Sequence, residues 1–483
     1  MESETKTELV FIPYPGRGHL MSTLELVKLL IGRDERLSAT VLVIKPPFDP
    51  KTGSQTLESS PRIRFVDIPR AEPLSGPYHP SKFIENHKDH VQNEAAKLFG
   101  GSGPNTRLAG FIVDIFCTSM ADVARGLGAP TYVFYTSGAA FLGLIMHFQG
   151  LVDYENQDLP EYVNSRDEIP IPSYELPVPT ELLPLLVLGK DGGPFVDIVR
   201  QARQARGIIV NTFRALEPKA LDYLSGDERV PRVYPVGPLL HIEGREDPKH
   251  DEVKEWLNRQ PDSSVVFLCF GSMGSFDGAQ AREIARALEN GGWRFLWSLR
   301  KPPSVVVGPS PGTPTEYEDF EEVLPEGFVG RTEGFGRVIG WAPQADVLAH
   351  RAVGGFVSHC GWNSTLESVW GGVPMAAWPM YAEQPLNGFQ LARDLGVAVE
   401  VNLGYRKGDN MVVGAEELGR AIGRLMEAGG GEGIRDKMEK LGVEGRAAVA
   451  EGGSSFEAVG KFIEDVMDDG QFAFCQFAFQ KVN

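Results

Sequence analysis

The sequence predicts an α/β protein of two domains, each built on a parallel β-sheet wrapped by helices. Three observations lead there. The 483-residue length exceeds one ordinary core. Short apolar runs rich in β-formers recur with helical segments between them, the pattern of a parallel sheet. The series also stops and restarts across a charged, proline-bounded stretch. With 42% hydrophobic and 23% charged residues, the chain has the composition of a folded globular protein.

The first series has runs at 9–14, 39–44, 63–68, 111–116 and 132–135. After the first run, Leu24, Val27, Leu30 and Ile31 recur at helical spacing, which predicts a strand, a glycine turn and an amphipathic helix. Residues 126–152 carry no Asp, Glu, Lys or Arg and are long enough to span a bilayer. Pro130, Thr136, Ser137, His147 and Gln149 interrupt them, so a buried strand followed by a pocket-lining helix is expected. A second series runs through 265–270, 295–299, 338–339, 355–358, 375–378 and 397–401.

Between the two series, Glu243, Arg245, Glu246 and Asp247 show no apolar period and read as a linker around Gly244. The expected division is an N-terminal domain 1–242, a linker 243–252, a C-terminal domain 253–460 and a tail 461–483. The acidic stretch 316–326 reads as a solvated surface loop without a function. In the tail, Gln-Phe-Ala-Phe occurs at 471–474 and 476–479. Two copies fall short of a repeat architecture, leaving docked phenylalanines or a disordered end as alternatives.

A formal charge of -18 opposes binding to nucleic acid or to an anionic membrane surface. The start carries Glu2, Glu4 and Glu8, unlike a basic-then-apolar signal peptide. Cys117, Cys269, Cys360 and Cys475 form no CxxC pair, so reduced thiols, no disulfide and a cytoplasmic location are expected.

The chemistry concentrates in residues 341–384, WAPQADVLAHRAVGGFVSHCGWNSTLESVWGGVPMAAWPMYAEQ. A buried-looking strand runs into His359-Cys360-Gly361-Trp362-Asn363-Ser364 and then a helix through Thr365, Leu366, Glu367 and Val369. A strand feeding a helix N-terminus through glycine makes an anion site, because free backbone N–H groups and the helix dipole converge there. His359, Asn363 and Ser364 add side-chain donors, Trp341 offers a flat face for a base, and Glu367 an acceptor for hydroxyls. Taken singly, Asn363 and Ser364 read equally well as helix caps and the tryptophans as core. Taken together they suit a nucleotide diphosphate.

In the first domain, Pro15-Gly16-Arg17-Gly18-His19 directly follows the first run. A dinucleotide fingerprint would place a third glycine where Met21 stands, so that reading is weak. A lone histidine in a turn is most often structural. Asp114, near the end of another strand, changes the balance, because open parallel sheets bind ligands at their carboxyl edge. An aspartate on one imidazole nitrogen fixes the tautomer and leaves the other nitrogen free as a base. Asp122 is a rival carboxylate, but its surroundings look helical.

The stretch 341–384 closely resembles the signature box of plant secondary-product UDP-glycosyltransferases. The likeness extends from the His19 turn through Pro235-Val236-Gly237-Pro238 to the box. The resemblance implies the GT-B fold, two facing Rossmann-like domains with parallel sheets. It implies Trp341 stacked on uracil, Ala342 bonding it through the backbone, and Gln344 and Glu367 on the ribose. His359, Asn363, Ser364 and, outside the box, Ser272 would bind the diphosphate, with Trp362, Glu383 and Gln384 at the sugar. Glu383-Gln384 stands where the family often has Asp-Gln, and Gln384 with Trp362 favours glucose. His19 and Asp114 match the family's catalytic dyad, and Thr136 would touch a glucose hydroxyl.

The expected function is inverting transfer of glucose from UDP-glucose, the co-substrate, to a small phenolic or flavonoid acceptor. Asp114-Ile115-Phe116-Cys117 suggests the branch acting on phenols. No other cofactor and no metal is expected, since the chain has no Asp-x-Asp element and no paired zinc spacing. A monomer without nucleic-acid partners or membrane insertion is expected, its acceptor pocket built from loops 71–90 and 142–149. The alternatives are transfer to carbon, a catalytically silent nucleotide-sugar-binding protein, or another sugar-nucleotide enzyme such as an epimerase or hydrolase.

Overall fold

The computed structural model describes residues 6–45, 59–72, 79–99, 106–157, 159–162, 165–184, 187–188, 193–241, 248–303, 312–408, 411–427 and 430–480. In the N-terminal half the strands are β1 (Lys6–Ile12), β2 (Leu37–Val43), β3 (Ile63–Asp67), β4 (Thr106–Asp114), β5 (Thr131–Tyr135), a two-residue pair β6 (Glu168–Ile169) and β7 (Val178–Pro179), then β8 (Gly207–Val210) and β9 (Arg232–Pro235). All but the antiparallel β6–β7 pair form one seven-stranded parallel sheet in the order β3-β2-β1-β4-β5-β8-β9. The apolar runs predicted this sheet because a strand covered by helices on both faces buries every residue. All seven residues of β2 are buried, as are six of seven in β1.

The C-terminal half holds β10 (Val265–Cys269), β11 (Arg294–Ser298), β12 (Gly336–Ile339), β13 (Val353–Ser358), β14 (Met375–Ala377) and β15 (Ala398–Glu400). They form a six-stranded parallel sheet in the order β12-β11-β10-β13-β14-β15. The fold is therefore the expected pair of Rossmann-like domains. In each sheet the strand order reverses beside the first strand, between β1 and β4 and between β10 and β13. Those reversals leave crevices at the carboxyl ends of the strands, where open α/β sheets bind ligands.

The predicted 111–116 strand ends at Asp114. Asp114 Oδ1 accepts the Phe116 N–H at 2.9 Å, and the chain turns into a 3₁₀ helix, Ile115–Met120. Within 126–152 the expected strand and helix are β5 and Ala139–Glu155. No helix among the described residues is long and apolar enough to cross a membrane.

Residues 243–247 of the expected linker lie outside the described residues, and 248–252 belong to the helix Pro248–Asn258. Residues 461–480, expected as a tail, continue the 27-residue helix Ser454–Gln480, which returns to the N-terminal sheet. There Phe462 is buried, with its ring edge-on to Tyr132 and Tyr234 at 5.1 and 5.3 Å. The side chains of the two Gln-Phe-Ala-Phe copies lie outside the described residues, as does that of Cys475. Cys117, Cys269 and Cys360 are buried free thiols.

Candidate active site

The first crevice is built by the turn after β1. The helix Arg17–Arg33 begins at Gly16 with no side-chain cap, and His19 sits in its first turn. Asp114, the last residue of neighbouring β4, reaches His19 Nδ1 through Oδ2 at 2.7 Å, and its side chain is 0% exposed against 27% for His19. With Oδ1 already holding Phe116 N, both carboxylate oxygens have fixed partners. An ionised carboxylate only accepts, so Nδ1 carries the proton and Nε2 keeps its lone pair.

Thr136, just beyond β5, places Oγ1 2.9 Å from the same Nδ1. Tyr14 and Phe116 flank the ring at 5.1 and 5.6 Å. Burial draws the imidazole pKa down. The charge of Asp114, its hydrogen bond and the Glu383 carboxylate outweigh burial, so His19 titrates above its usual 6.5. Asp122 stands in the helix Ala121–Gly126 and pairs with Lys88 and Arg125, away from His19.

The second crevice faces the first. Beyond β10, Gly271 adopts φ +72°, and Ser272 follows it into the cleft. Beyond β13, His359 is 6% exposed and its Nδ1 has no partner. Burial lowers its pKa to about 4, so it stands there as a neutral imidazole. A methyl group at Gly271 or Gly361 would lie 2.6 or 2.5 Å from His359 Nε2, so both glycines are needed for the close approach.

The helix Trp362–Gly371 has Gly361 as its N-cap, with no side-chain cap. Asn363 and Ser364 are therefore not caps, and the helix's first N–H groups are open to a ligand at the cleft. Asn363 instead bridges the domains, donating to Gly18 O at 3.2 Å and accepting from Ser22 Oγ at 3.1 Å. Gln344 Nε2 donates to Ser364 Oγ at 2.7 Å and Glu367 Oε2 at 2.6 Å, tying three predicted residues into one network.

Trp341 and Ala342 line the same cleft. The Arg17 and Arg300 guanidinium carbons lie 4.9 and 5.2 Å from the Trp341 ring centroid, and Glu316 Oε1 accepts the Trp341 N–H at 3.2 Å. Glu316 thus corrects the reading of 316–326 as a loop without a role. Trp362 is buried and donates its indole N–H to Asn211 O at 2.7 Å. Glu383 accepts from Ser137 Oγ across the cleft at 3.2 Å, and burial raises its pKa. Gln384 Oε1 accepts from Met380 N and Tyr381 N at 3.0 and 3.1 Å, which leaves its amide nitrogen to donate elsewhere.

The two crevices merge into one cleft of about 660 Å³. It contains every predicted site residue except Asp114, which is buried behind His19. Beside His19 the wall is aromatic: Phe116 and Phe141 pack on Phe195 at 5.9 and 6.4 Å. Of the expected loop 71–90, 73–78 lie outside the described residues and the rest is largely helical, Pro80–Glu85 and the start of Lys88–Phe99; His79, Pro80 and Ser81 at the start of the first helix line the cleft. Residues 142–149 do not line the cleft as expected, because nearly all are buried in the core; Phe195 and Ile198 of the helix Gly193–Ala202 take their place. Ser137, Arg300 and Glu316 were missed, since each meets the site through a tertiary contact that no local pattern encodes.

A model of the family described as UDP-glucoronosyl and UDP-glucosyl transferase matches residues 233–417. The chain is 50% identical over 475 residues to UDP-glycosyltransferase 71E1 of Stevia rebaudiana, covering 95% of this chain and 98% of that one. It is 46% identical over 478 residues to UDP-glucose flavonoid 3-O-glucosyltransferase 6 of Fragaria ananassa, covering 95% and 98%. Among solved structures, a UGT transferase from Siraitia grosvenorii in complex with UDP matches with a TM-score of 0.86 at 45% identity, over 96% of this chain and 100% of that one. Medicago truncatula UGT71G1 complexed with UDP-glucose matches with a TM-score of 0.82 at 40% identity, over 95% and 98%.

Proposed function

We propose that this chain, which belongs to the plant UDP-glycosyltransferases, transfers glucose from UDP-glucose to a hydroxyl of a small phenolic or flavonoid acceptor, with inversion at the anomeric carbon. The observation that carries the reading is the His19–Asp114 pair facing the donor residues across a single cleft. Relatives named for flavonoid 3-O-glucosylation and a neighbour holding UDP-glucose support the acceptor class and the sugar.

His19 Nε2 removes the acceptor proton as the oxygen attacks the anomeric carbon from the face opposite UDP, giving a β-glucoside. Asp114 holds the tautomer and stabilises the imidazolium. Thr136, expected at a glucose hydroxyl, is assigned to His19, because its hydroxyl stands 2.9 Å from Nδ1.

On the donor side Trp341 carries the uracil and the Ala342 backbone bonds it, while Gln344 and Glu367 hold the ribose. Ser272, His359, Asn363, Ser364 and the open helix N-terminus take the diphosphate. Trp362, Glu383 and Gln384 surround the sugar. The departing UDP gains negative charge, and fixed backbone donors meet it without reorganising. His359, neutral at physiological pH, contributes a hydrogen bond rather than a full charge. With those donors in place, transfer is expected to survive chelation of divalent ions. All parts lie on one chain, so a monomer suffices.

Incubation with UDP-glucose, UDP-galactose or UDP-glucuronate and a panel of phenols, with and without EDTA, tests the reading by mass spectrometry and NMR of the products. A β-O-glucoside formed fastest from UDP-glucose is expected. A carbon-linked product, a preference for another donor, or UDP release without transfer would each replace part of it.

A further inference from the structure

Glu217 is 2% exposed, yet neither its charge nor its burial is used by the chemistry above. It stands at the N-cap position of the helix Pro218–Gly226 but makes no side-chain cap bond there. Its carboxylate crosses to another helix. The Ala139 N–H donates to Oε2 at 2.7 Å and the Ala140 N–H to Oε1 at 2.8 Å. These are the first two residues of the helix Ala139–Glu155, whose own N-cap, Gly138, has no side chain to offer. A carboxylate there satisfies orphan N–H groups and meets the positive end of the helix dipole.

The same Oε1 accepts from Gln390 Nε2 of the C-terminal domain at 3.3 Å. Space is tight: a methyl group at Gly138 would lie 2.9 Å from both Glu217 Oε1 and the Trp362 ring. Immediately before Gly138 come Thr136, on His19 Nδ1, and Ser137, on Glu383. The carboxylate therefore anchors the far end of a three-residue loop that touches both the base and the sugar side of the cleft.

We propose that Glu217 is a positioning residue that sets the Thr136–Ser137 loop, and through Thr136 the orientation of His19, from a buried seat between the domains. The proposal rests on reading His19 as the base. Its logic is geometric, since a shift of about 1 Å in a positioned group can cost on the order of a hundredfold in rate without touching distant binding contacts.

Glu217→Gln keeps the shape but turns one acceptor into an NH₂ that opposes a backbone N–H. It is expected to lower kcat about tenfold to a hundredfold, while UDP affinity by calorimetry stays within about twofold, because the uridine and diphosphate residues lie in the other domain. Thr136→Ala should also lower kcat. Because the two act in series, the double variant should be no slower than the slower single one. Unchanged kcat in Glu217→Gln, or losses that multiply in the double variant, would overturn the proposal.

If Glu217→Gln does not fold, Glu217→Asp, which keeps the charge but draws the carboxylate back from the Ala139 and Ala140 N–H groups, carries the same expectation. If the wild type transfers no sugar, the His19 ring resonances in NMR give a readout without turnover. Glu217→Gln should then move them as Thr136→Ala does, and unmoved resonances would refute the positioning role separately from the functional reading.

Discussion

At the scale of single residues, His19 is held by opposing forces whose sum has a sign. Burial favours the neutral ring, whereas Asp114, its hydrogen bond and Glu383 favour the imidazolium and prevail, so the pKa lies above 6.5. Only the neutral ring can take a proton. The rate kcat/KM should therefore fall as pH drops through that raised pKa. Asp114→Asn removes the main source of the rise, so the acid limb is expected to move to lower pH while kcat also falls; a limb that stays put would show that another group titrates. His19→Ala should cost roughly a hundred- to ten-thousand-fold in turnover, with UDP affinity nearly unchanged by calorimetry. The pairing was legible in the sequence because His19 follows the first strand through a glycine turn and Asp114 ends another, which places both at the carboxyl edge of one predicted sheet. The partnership of Thr136 with His19 was not, since it depends on the spacing across neighbouring strands. Glu316 was hidden inside an acidic run with no period, where its bond to the Trp341 N–H leaves no trace.

At the scale of elements, the two crevices repeat one device: a buried strand, a turn containing glycine, and a helix whose N-terminus no side chain caps. In the donor half Gly271 is the sensitive point. An alanine there would be strained at φ +72°, about 1–2 kcal/mol for an L-residue, and its methyl would press on His359 Nε2 from 2.6 Å. Gly271→Ala is expected to weaken UDP binding about tenfold or more by calorimetry, since 1.4 kcal/mol is a factor of ten; unchanged affinity would place the diphosphate elsewhere. Most strands were predictable because full burial leaves unbroken apolar runs. Besides the two-residue pair β6 and β7, the two strands of the seven-stranded sheet that were missed, β8 and β9, are four residues each. β9 ends in Pro235, which argues against a central strand but is tolerated here at the sheet edge. The helix start after Gly361 was legible in the sequence, yet its lack of a side-chain cap required the backbone geometry, which showed Asn363 and Ser364 to lie inside the helix.

At the scale of the whole molecule, the chain crosses between domains twice, and the second crossing packs the last helix on the N-terminal sheet. After the C-terminal sheet is complete, the helix Ser454–Gln480 runs back to the N-terminal one. Asp465 accepts from Arg232 and Tyr234, both at 2.7 Å, Arg107 donates to Met467 O at 2.9 Å, and Phe462 is buried among Tyr132 and Tyr234. Exposed ion pairs of this kind contribute little, so the apolar anchor should dominate. Phe462→Ala is expected to destabilise the docked helix by about 3–5 kcal/mol. Gly460 lies in the same helix with open space beyond its Cα, and Gly460→Ala should stabilise it by about 0.5–1 kcal/mol. UDP supplies the means to see coupling, because a ligand at 100 times its Kd stabilises the unit that binds it by about 2.7 kcal/mol. If the helix ties the domains into one cooperative unit, the wild type should show a single calorimetric transition that moves upward with UDP. In Phe462→Ala the transition should split, with only the C-terminal component following UDP, since the residues proposed to hold UDP all lie in that half. Two transitions in the wild type, or a single UDP-sensitive transition in Phe462→Ala, would show that the domains are joined by the cleft contacts of Asn363, Trp362 and Glu383 rather than by the returning helix.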